Sequence, residues 1–229
     1  MATVGAVAEE RVGWTATRIG GIAGLGFAGG VIFQNAVLMS GSPLPGASID
    51  EVSRFYADQG GRVMIATFWV AINAVFLLTF LSAVTARLQE SPASALWGRV
   101  AYAAGISLLS LFAVGTSLQA VLVTRISDLE ANHALLGLLW AMHSGAFSMS
   151  LIVAGVLVLS LSLGALATPV VPAWTAYLGL LGSALMLVGG GLAFNVIDGG
   201  PALFIGFAGF ATWIVWLITA SLRMLRSEA

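Results

Sequence analysis

An all-α membrane protein, a polytopic bundle of six transmembrane helices, is the fold class this sequence predicts. Three observations predict it. Only 8% of the 229 residues are charged, 59% are hydrophobic, and the mean hydropathy is +1.00. A soluble domain carries about 25% charged residues, so this chain cannot cover a water-facing surface and lipid must be its main solvent. Its apolar residues also come in continuous runs, not in the alternating segments of about ten residues that a membrane β-barrel requires. A single transmembrane domain over residues 1–229 is expected, with no second domain and no sequence repeat.

Taken in order, residues 1–18 carry Glu9, Glu10, Arg11 and Arg18 and lack an early apolar core, so no cleavable signal is read there. The first span, about 19–40, is expected to stay in the membrane. Its Gly20/Gly24 and Gly26/Gly30 pairs have the spacing that lets helix backbones approach closely in lipid. Residues 41–62 form the one sizeable loop. Within it Gly41-Ser42-Pro43-Leu44-Pro45-Gly46 is a turn signal, and Ser48 with Glu51 has capping-box spacing. Ile49, Val52, Phe55 and Tyr56 then recur at helical spacing. This predicts a short amphipathic helix over 49–59, lying in the first outer loop and ended by Gly60-Gly61. Span two is read at about 63–86 and span three at about 97–124.

Span four, about 133–166, is 34 residues, or about 51 Å of helix where about 30 Å of hydrocarbon must be crossed. It is too short for two spans and a turn, so one long tilted or overhanging helix is predicted, with Ser144-Gly145 as a place where it could bend. Thr168-Pro169-Val170-Val171-Pro172 turns the chain. Span five covers about 174–197, Asp198-Gly199-Gly200-Pro201 is a tight turn, and span six covers about 202–222.

Arginine counting sets the orientation. Arg11, Arg18, Arg87, Arg99, Arg223 and Arg226 fall on one side, and Arg54, Arg62 and Arg125 on the other. The first side is expected to be cytoplasmic, with both termini inside. Tryptophans 14, 97 and 174 open spans on that side, where an aromatic belt belongs. The Arg-only, Ala/Gly/Val-rich composition is of the kind GC-rich bacterial genomes produce, so the location expected is a bacterial cytoplasmic (inner) membrane.

Depth then sorts the polar residues. His143 lies about 16 Å below the outer end of span four and Asn73 at a similar level of span two, while Gln119 is about 9 Å below the outer end of span three. Gln34 and Asn35 occupy the outer third of span one, and Asn195 closes span five on the same side. The inner half has mainly Ser and Thr, which can bond their own helix. An unpaired amide in hydrocarbon is costly. His143, Asn73, Gln119, Gln34, Asn35 and Asn195 are therefore expected to converge, either as packing glue or as the lining of an outward-opening pocket. Asn73 and His143 are the expected direct pair.

Several functions are excluded or disfavoured. There is no cysteine and no lysine, which removes disulfide, thiolate and lysine Schiff-base chemistry. A net charge of −1 gives no sign of nucleic acid as a partner. No span carries an internal Asp, Glu or Arg, which argues against a proton pump or voltage sensor. Gly189-Gly190-Gly191 lies in an apolar run with no strand before it, so it is no phosphate cradle. His133 and His143 are ten residues apart at different depths and cannot clamp one haem; no metal or cofactor is expected.

Thr17-Arg18-Ile19-Gly20-Gly21-Ile22-Ala23-Gly24 opens the first span and Gly61-Arg62-Val63 the second. A histidine sits in the fourth, and a proline-marked turn precedes Tyr177-Leu178-Gly179-Leu180. In this layout the chain resembles a domain-of-unknown-function family of six-helix bacterial integral membrane proteins. That family often shows an Asp before the histidine and Leu-Pro before the fifth span, where this chain has Met142 and Val171-Pro172. The resemblance implies the six-span topology and no particular activity.

Three functional readings follow. One is a non-catalytic protein that binds or helps transport a small apolar or amphipathic molecule, or serves as an accessory subunit. A second is a membrane-embedded enzyme on a lipid or quinone-like substrate with His143 as acid/base, although no intramembrane carboxylate partners it. The third is a structural partner whose glycine-rich helix faces join a homo- or hetero-oligomer.

Overall fold

The computed structural model describes residues 14–227, so Arg11 lies outside the described residues. These residues form helices and connecting turns, with no strand among them. Helix α1 (Ala16–Phe33) runs into a single π-helical turn at Gln34–Leu38. It is followed by α2 (Ile49–Gln89), α3 (Pro92–Thr124), a one-turn α4 (Ile126–Leu129) and α5 (His133–Ala167). The chain ends with α6 (Ala173–Gly191), a short α7 (Ala193–Ile197) and α8 (Ala202–Arg226). Six of these stretches are long and apolar enough to cross a membrane: Ala16–Leu38, α2, α3, α5, α6 and α8.

The six long helices close a ring. Helix α1 packs on α2 and α8, α2 on α3, α3 on α5, α5 on α6, and α6 on α8. Large apolar side chains such as Phe68, Val75, Ile106, Leu138 and Phe204 cover the outside, as a lipid-facing surface requires. The central core is built on Phe27, Leu77, Phe80, Leu108, Leu157, Trp213 and Trp216. Trp213 sits between Phe27 and Phe210, with ring centroids 5.6 and 5.3 Å away.

Close approach in this bundle depends on glycine, as the small-residue spacing of α1 suggests. A Cβ on Gly20 would lie 2.3 Å from Ala83 Cβ, and one on Gly24 would lie 2.0 Å from Ser221 Oγ. Both glycines are thus engaged inside the chain, against α2 and α8. Between α5 and α6 the contact is also hydrogen-bonded: Ser148 Oγ donates to the Gly190 carbonyl (3.1 Å) and Ser183 Oγ to that of Gly155 (2.8 Å).

Helix α3 begins five residues before the predicted 97 and α8 ends four beyond the predicted 222; two other boundaries differ in ways that shape the site. The helix predicted over 49–59 is present, with the Ser48 hydroxyl accepting from the Glu51 amide at 3.3 Å, but it does not end at Gly60-Gly61. It runs on into the second span as one helix, α2, 41 residues long in all. Val52, Tyr56, Val63 and Ala66 hold one buried stripe in phase through the glycines, and a break would turn that stripe out of register. The N-terminal part of α2 packs Val52, Tyr56 and Val63 on Leu122, Leu129, Leu136 and Trp140, a second small core beyond the main one. Because a Cβ on Gly61 meets nothing within 4 Å, Gly61→Ala is expected to stabilise the protein by about 0.5–1 kcal/mol through helix propensity. A lowered thermal midpoint in that variant would mean that the site needs glycine's conformational freedom.

Span five is the second difference. Helix α6 stops at Gly191, and Leu192 takes a non-helical backbone (φ −89°, ψ 43°) before α7 begins. Asn195 explains the geometry. Its carbonyl Oδ1 accepts from the Ala202 amide at 3.0 Å and its backbone carbonyl accepts from Gly200 at 2.7 Å. It closes the turn into α8, whose N-cap Pro201 provides no side-chain cap. Helix α5, in contrast, is helical without interruption through Ser144-Gly145.

Candidate functional site

A cavity of about 690 Å³ lies inside the ring, lined by α1, α2, α3, α5, α8 and the 42–45 segment. Its deeper wall is apolar, with Phe27, Leu108, Phe112, Leu151, Ala154, Phe210 and Ile214. Its polar side chains gather toward the end covered by Ser42-Pro43-Leu44-Pro45, and there it takes in Gln34, Asn35, Asn73, Gln119 and His143. Five of the six residues singled out from depth therefore share one cavity. The sixth, Asn195, does not join them, being engaged in the turn before α8.

The polar residues work as two pairs. On the α1–α2 side, Asn73 Nδ2 donates to Gln34 Oε1 at 3.0 Å. The Asn73 amide rests against Gly30, where a Cβ would come within 2.1 Å of Asn73 Oδ1. The helix widens into its π-helical turn just beyond, where Met39 N–H reaches the Gln34 carbonyl at 2.9 Å, and such π-bulges recur at functional sites. Within this turn Asn35 Nδ2 donates back to the Val31 carbonyl at 2.9 Å.

On the α3–α5 side, His143 Nδ1 lies 3.2 Å from the Gly115 carbonyl. A carbonyl only accepts, so Nδ1 carries a proton, and in the neutral form of the ring Nε2 is the acceptor. Nε2 faces the Gln119 amide nitrogen at 3.5 Å, at the outer limit for a hydrogen bond. The expected Asn73–His143 pair is not formed; each residue finds its partner on the neighbouring helix instead. Equal depth brought the two to one level, but the turn of each helix about its own axis directs one to α1 and the other to α3.

Aromatic residues complete the α5 side. Trp140, one helical turn before His143, stacks on it with centroids 5.3 Å apart and an interplanar angle of 23°. Tyr56 meets Trp140 edge-on at 6.3 Å. Tyr56, Trp140 and Thr116 all line the cavity; Tyr56 was expected only as part of the apolar face of the 49–59 helix, and Trp140 and Thr116 were not singled out from the sequence. Their signal was spacing: Trp140 is three residues from His143 and Thr116 three from Gln119, each on the same helix face.

The mouth segment is held at both ends. Arg62 donates through Nη1 to Gln59 Oε1 at 2.9 Å and through Nη2 to the Val37 carbonyl at the end of the π-helical turn. At its far end Gly46 (φ 82°) meets Gly199 (φ 78°), and a Cβ on Gly46 would fall 2.6 Å from Gly199 Cα. A side chain at either glycine would push the strap off the α7–α8 turn.

Among the described residues no group of three or more His, Asp or Glu side chains is placed to hold a metal ion. His133 does not line the cavity and borders instead a shallow surface hollow with Asp50, Arg54, Asp58 and Glu130. No family model matches the chain, and no curated protein and no solved structure matches it. The likeness to six-helix membrane proteins thus rests on layout alone.

Proposed function

We propose that this chain is a multi-pass protein of a bacterial inner membrane, with both termini cytoplasmic, that binds a small apolar or amphipathic molecule without transforming it. The observation that carries this reading is the cavity. Its volume of about 690 Å³ falls in the usual range of small-molecule sites, and a mainly apolar wall with a few convergent polar groups is how such sites are built. Four of the five polar side chains pair with each other, yet all five also border the open space, which packing glue alone does not require. Transport or service as an accessory subunit is compatible with the same site. His143 as acid/base is the weaker reading, because none of the residues lining the cavity is a carboxylate that could orient or partner it.

Two experiments test this. Native mass spectrometry of the protein released from membranes should show a retained small molecule. In His143→Leu that retention should fall about tenfold, because it removes Nε2, an acceptor that Gln119 engages only at the 3.5 Å limit and that a bound molecule can take over, while stability changes by about 1 kcal/mol or less. Unchanged retention with a large loss of stability would make His143 packing glue and defeat the reading. For orientation, reporters fused at the C-terminus and inserted at 41–46 should report opposite sides, the C-terminal one cytoplasmic. A C-terminal reporter outside the cell would reverse the topology.

A further inference from the structure

Resting on the binding reading above, we infer that the occupant is an uncharged amphiphile: one hydroxyl- or carbonyl-bearing head on a hydrocarbon body, about twenty non-hydrogen atoms in all. At roughly 30 Å³ per water-sized group, the cavity volume of about 690 Å³ sets that size.

The lining sets the charge. No Asp, Glu, Lys or Arg is among the residues bordering the cavity. A phosphate, carboxylate or ammonium head entering it would give up its hydration and meet no counter-ion. Arg62 stands beside the mouth, but its guanidinium is engaged by Gln59 Oε1 and the Val37 carbonyl, and it does not border the cavity.

The distribution of polarity sets the shape. Gln34 lies seven residues beyond Phe27 on the α1 segment, or about 10 Å, and His143 eleven residues from Ala154 on α5, or about 16 Å. All four line the cavity, so its polar end and its apolar end are separated along the bundle axis. One head and one elongated body fit that gradient.

Unused hydrogen-bonding capacity sets the head group. Gln34 accepts from Asn73 through Oε1, and its Nε2 has no partner among the described residues. Asn35 donates to Val31 through Nδ2, and its Oδ1 likewise has none. Two more residues of the lining carry a buried polar atom without a partner, Asn73 Oδ1 and Trp140 Nε1. Free donors and free acceptors side by side at the polar end match a hydroxyl, which accepts and donates at once. A carbonyl head uses the donors alone.

The test compares three probes of one chain length on the full protein in lipid nanodiscs: octadecanol, octadecyl phosphate and octadecylammonium at equal mole fraction. Retention is read by native mass spectrometry after release. Octadecanol should be retained at least about tenfold over either ion, given the penalty for burying an unpaired charge, and Gln34→Leu should lower alcohol retention severalfold. Equal or greater retention of the phosphate or the ammonium would overturn the uncharged class while leaving the binding reading in place. Retention of none of the three would overturn both.

Discussion

Replacing Gly189 with valine is expected to destabilise the protein by about 3 kcal/mol or more, the upper range for overpacking a tight contact. The reason is backbone against backbone. A Cβ on Gly189 would lie 2.6 Å from Gly206 N, 2.7 Å from Gly206 Cα and 2.9 Å from the Ala202 carbonyl oxygen. No rotamer change relieves such contacts, so α6 and α8 must separate. Gly182 and Gly209 repeat the arrangement along the same pair, a Cβ on Gly209 falling 2.5 Å from the Gly182 carbonyl oxygen, so the disturbance propagates along the interface. Its neighbours provide the control. A Cβ on Gly190 would lie 2.8 Å from the Ser148 carbonyl oxygen of α5, whereas one on Gly191 meets nothing within 4 Å. Thermal unfolding in detergent should therefore show Gly189→Val lowered by about 10 °C, using about 2–4 °C per kcal/mol for a chain of this size, Gly190→Val also lowered, and Gly191→Ala within about 2 °C of the parent. Equal midpoints for the three would remove the glycine contact as the basis of the α6–α8 interface.

The second large effect is expected from Thr116→Trp. Thr116 lines the cavity between Gly115, whose carbonyl holds His143, and Gln119. It is partly exposed within the cavity and not locked into the core. An indole there occupies space that the bound molecule would fill, and retention should drop by at least about tenfold. The ligand-free protein should keep its thermal midpoint within about 2 °C, because the new side chain enters existing space and does not overpack a closed wall. Undiminished retention would place the occupant elsewhere on the molecule. A collapse in stability would show the space to be smaller than the structure gives.

How much of this was legible in the sequence follows from what a sequence encodes in lipid. Continuous apolar runs reveal spans because every backbone polar group must be satisfied within the segment; α3 and α5 end within a residue of the predicted 124 and 166. Glycine was the ambiguous letter. Gly60-Gly61 reads as a stop yet lies inside α2, while Gly191 ends α6 within a predicted span. A glycine serves equally as a cap and as a packing surface, and only the neighbouring helix decides which. The candidate site was half legible for a related reason. Residue number gives depth at about 1.5 Å per residue, so Gln34, Asn35, Asn73, Gln119 and His143 could be brought to one end. Rotation about the helix axis is not encoded when a helix is apolar all round. Hence Asn73 pairs with Gln34 in place of His143, and Asn195, at the correct level, is engaged in a turn. Trp140 was passed over because an aromatic residue in an apolar segment carries no mark of its own, and Tyr56 was read only as a face of the 49–59 helix; their place beside His143 comes from packing.

Adjacent positions on α3 test the cavity itself. Thr116 lines it, whereas Ser117 is exposed on the outer face of the same helix, its hydroxyl turned back to the Ala113 carbonyl at 2.8 Å. Because the chain has no cysteine, Thr116→Cys and Ser117→Cys each introduce a single thiol. In nanodiscs a small water-soluble thiol reagent should modify Thr116→Cys at least about tenfold faster than Ser117→Cys, since lipid withholds both water and the thiolate form from the outer face. Octadecanol should slow only the first. Equal rates at the two positions, or no modification of Thr116→Cys, would contradict an accessible cavity enclosed by these helices.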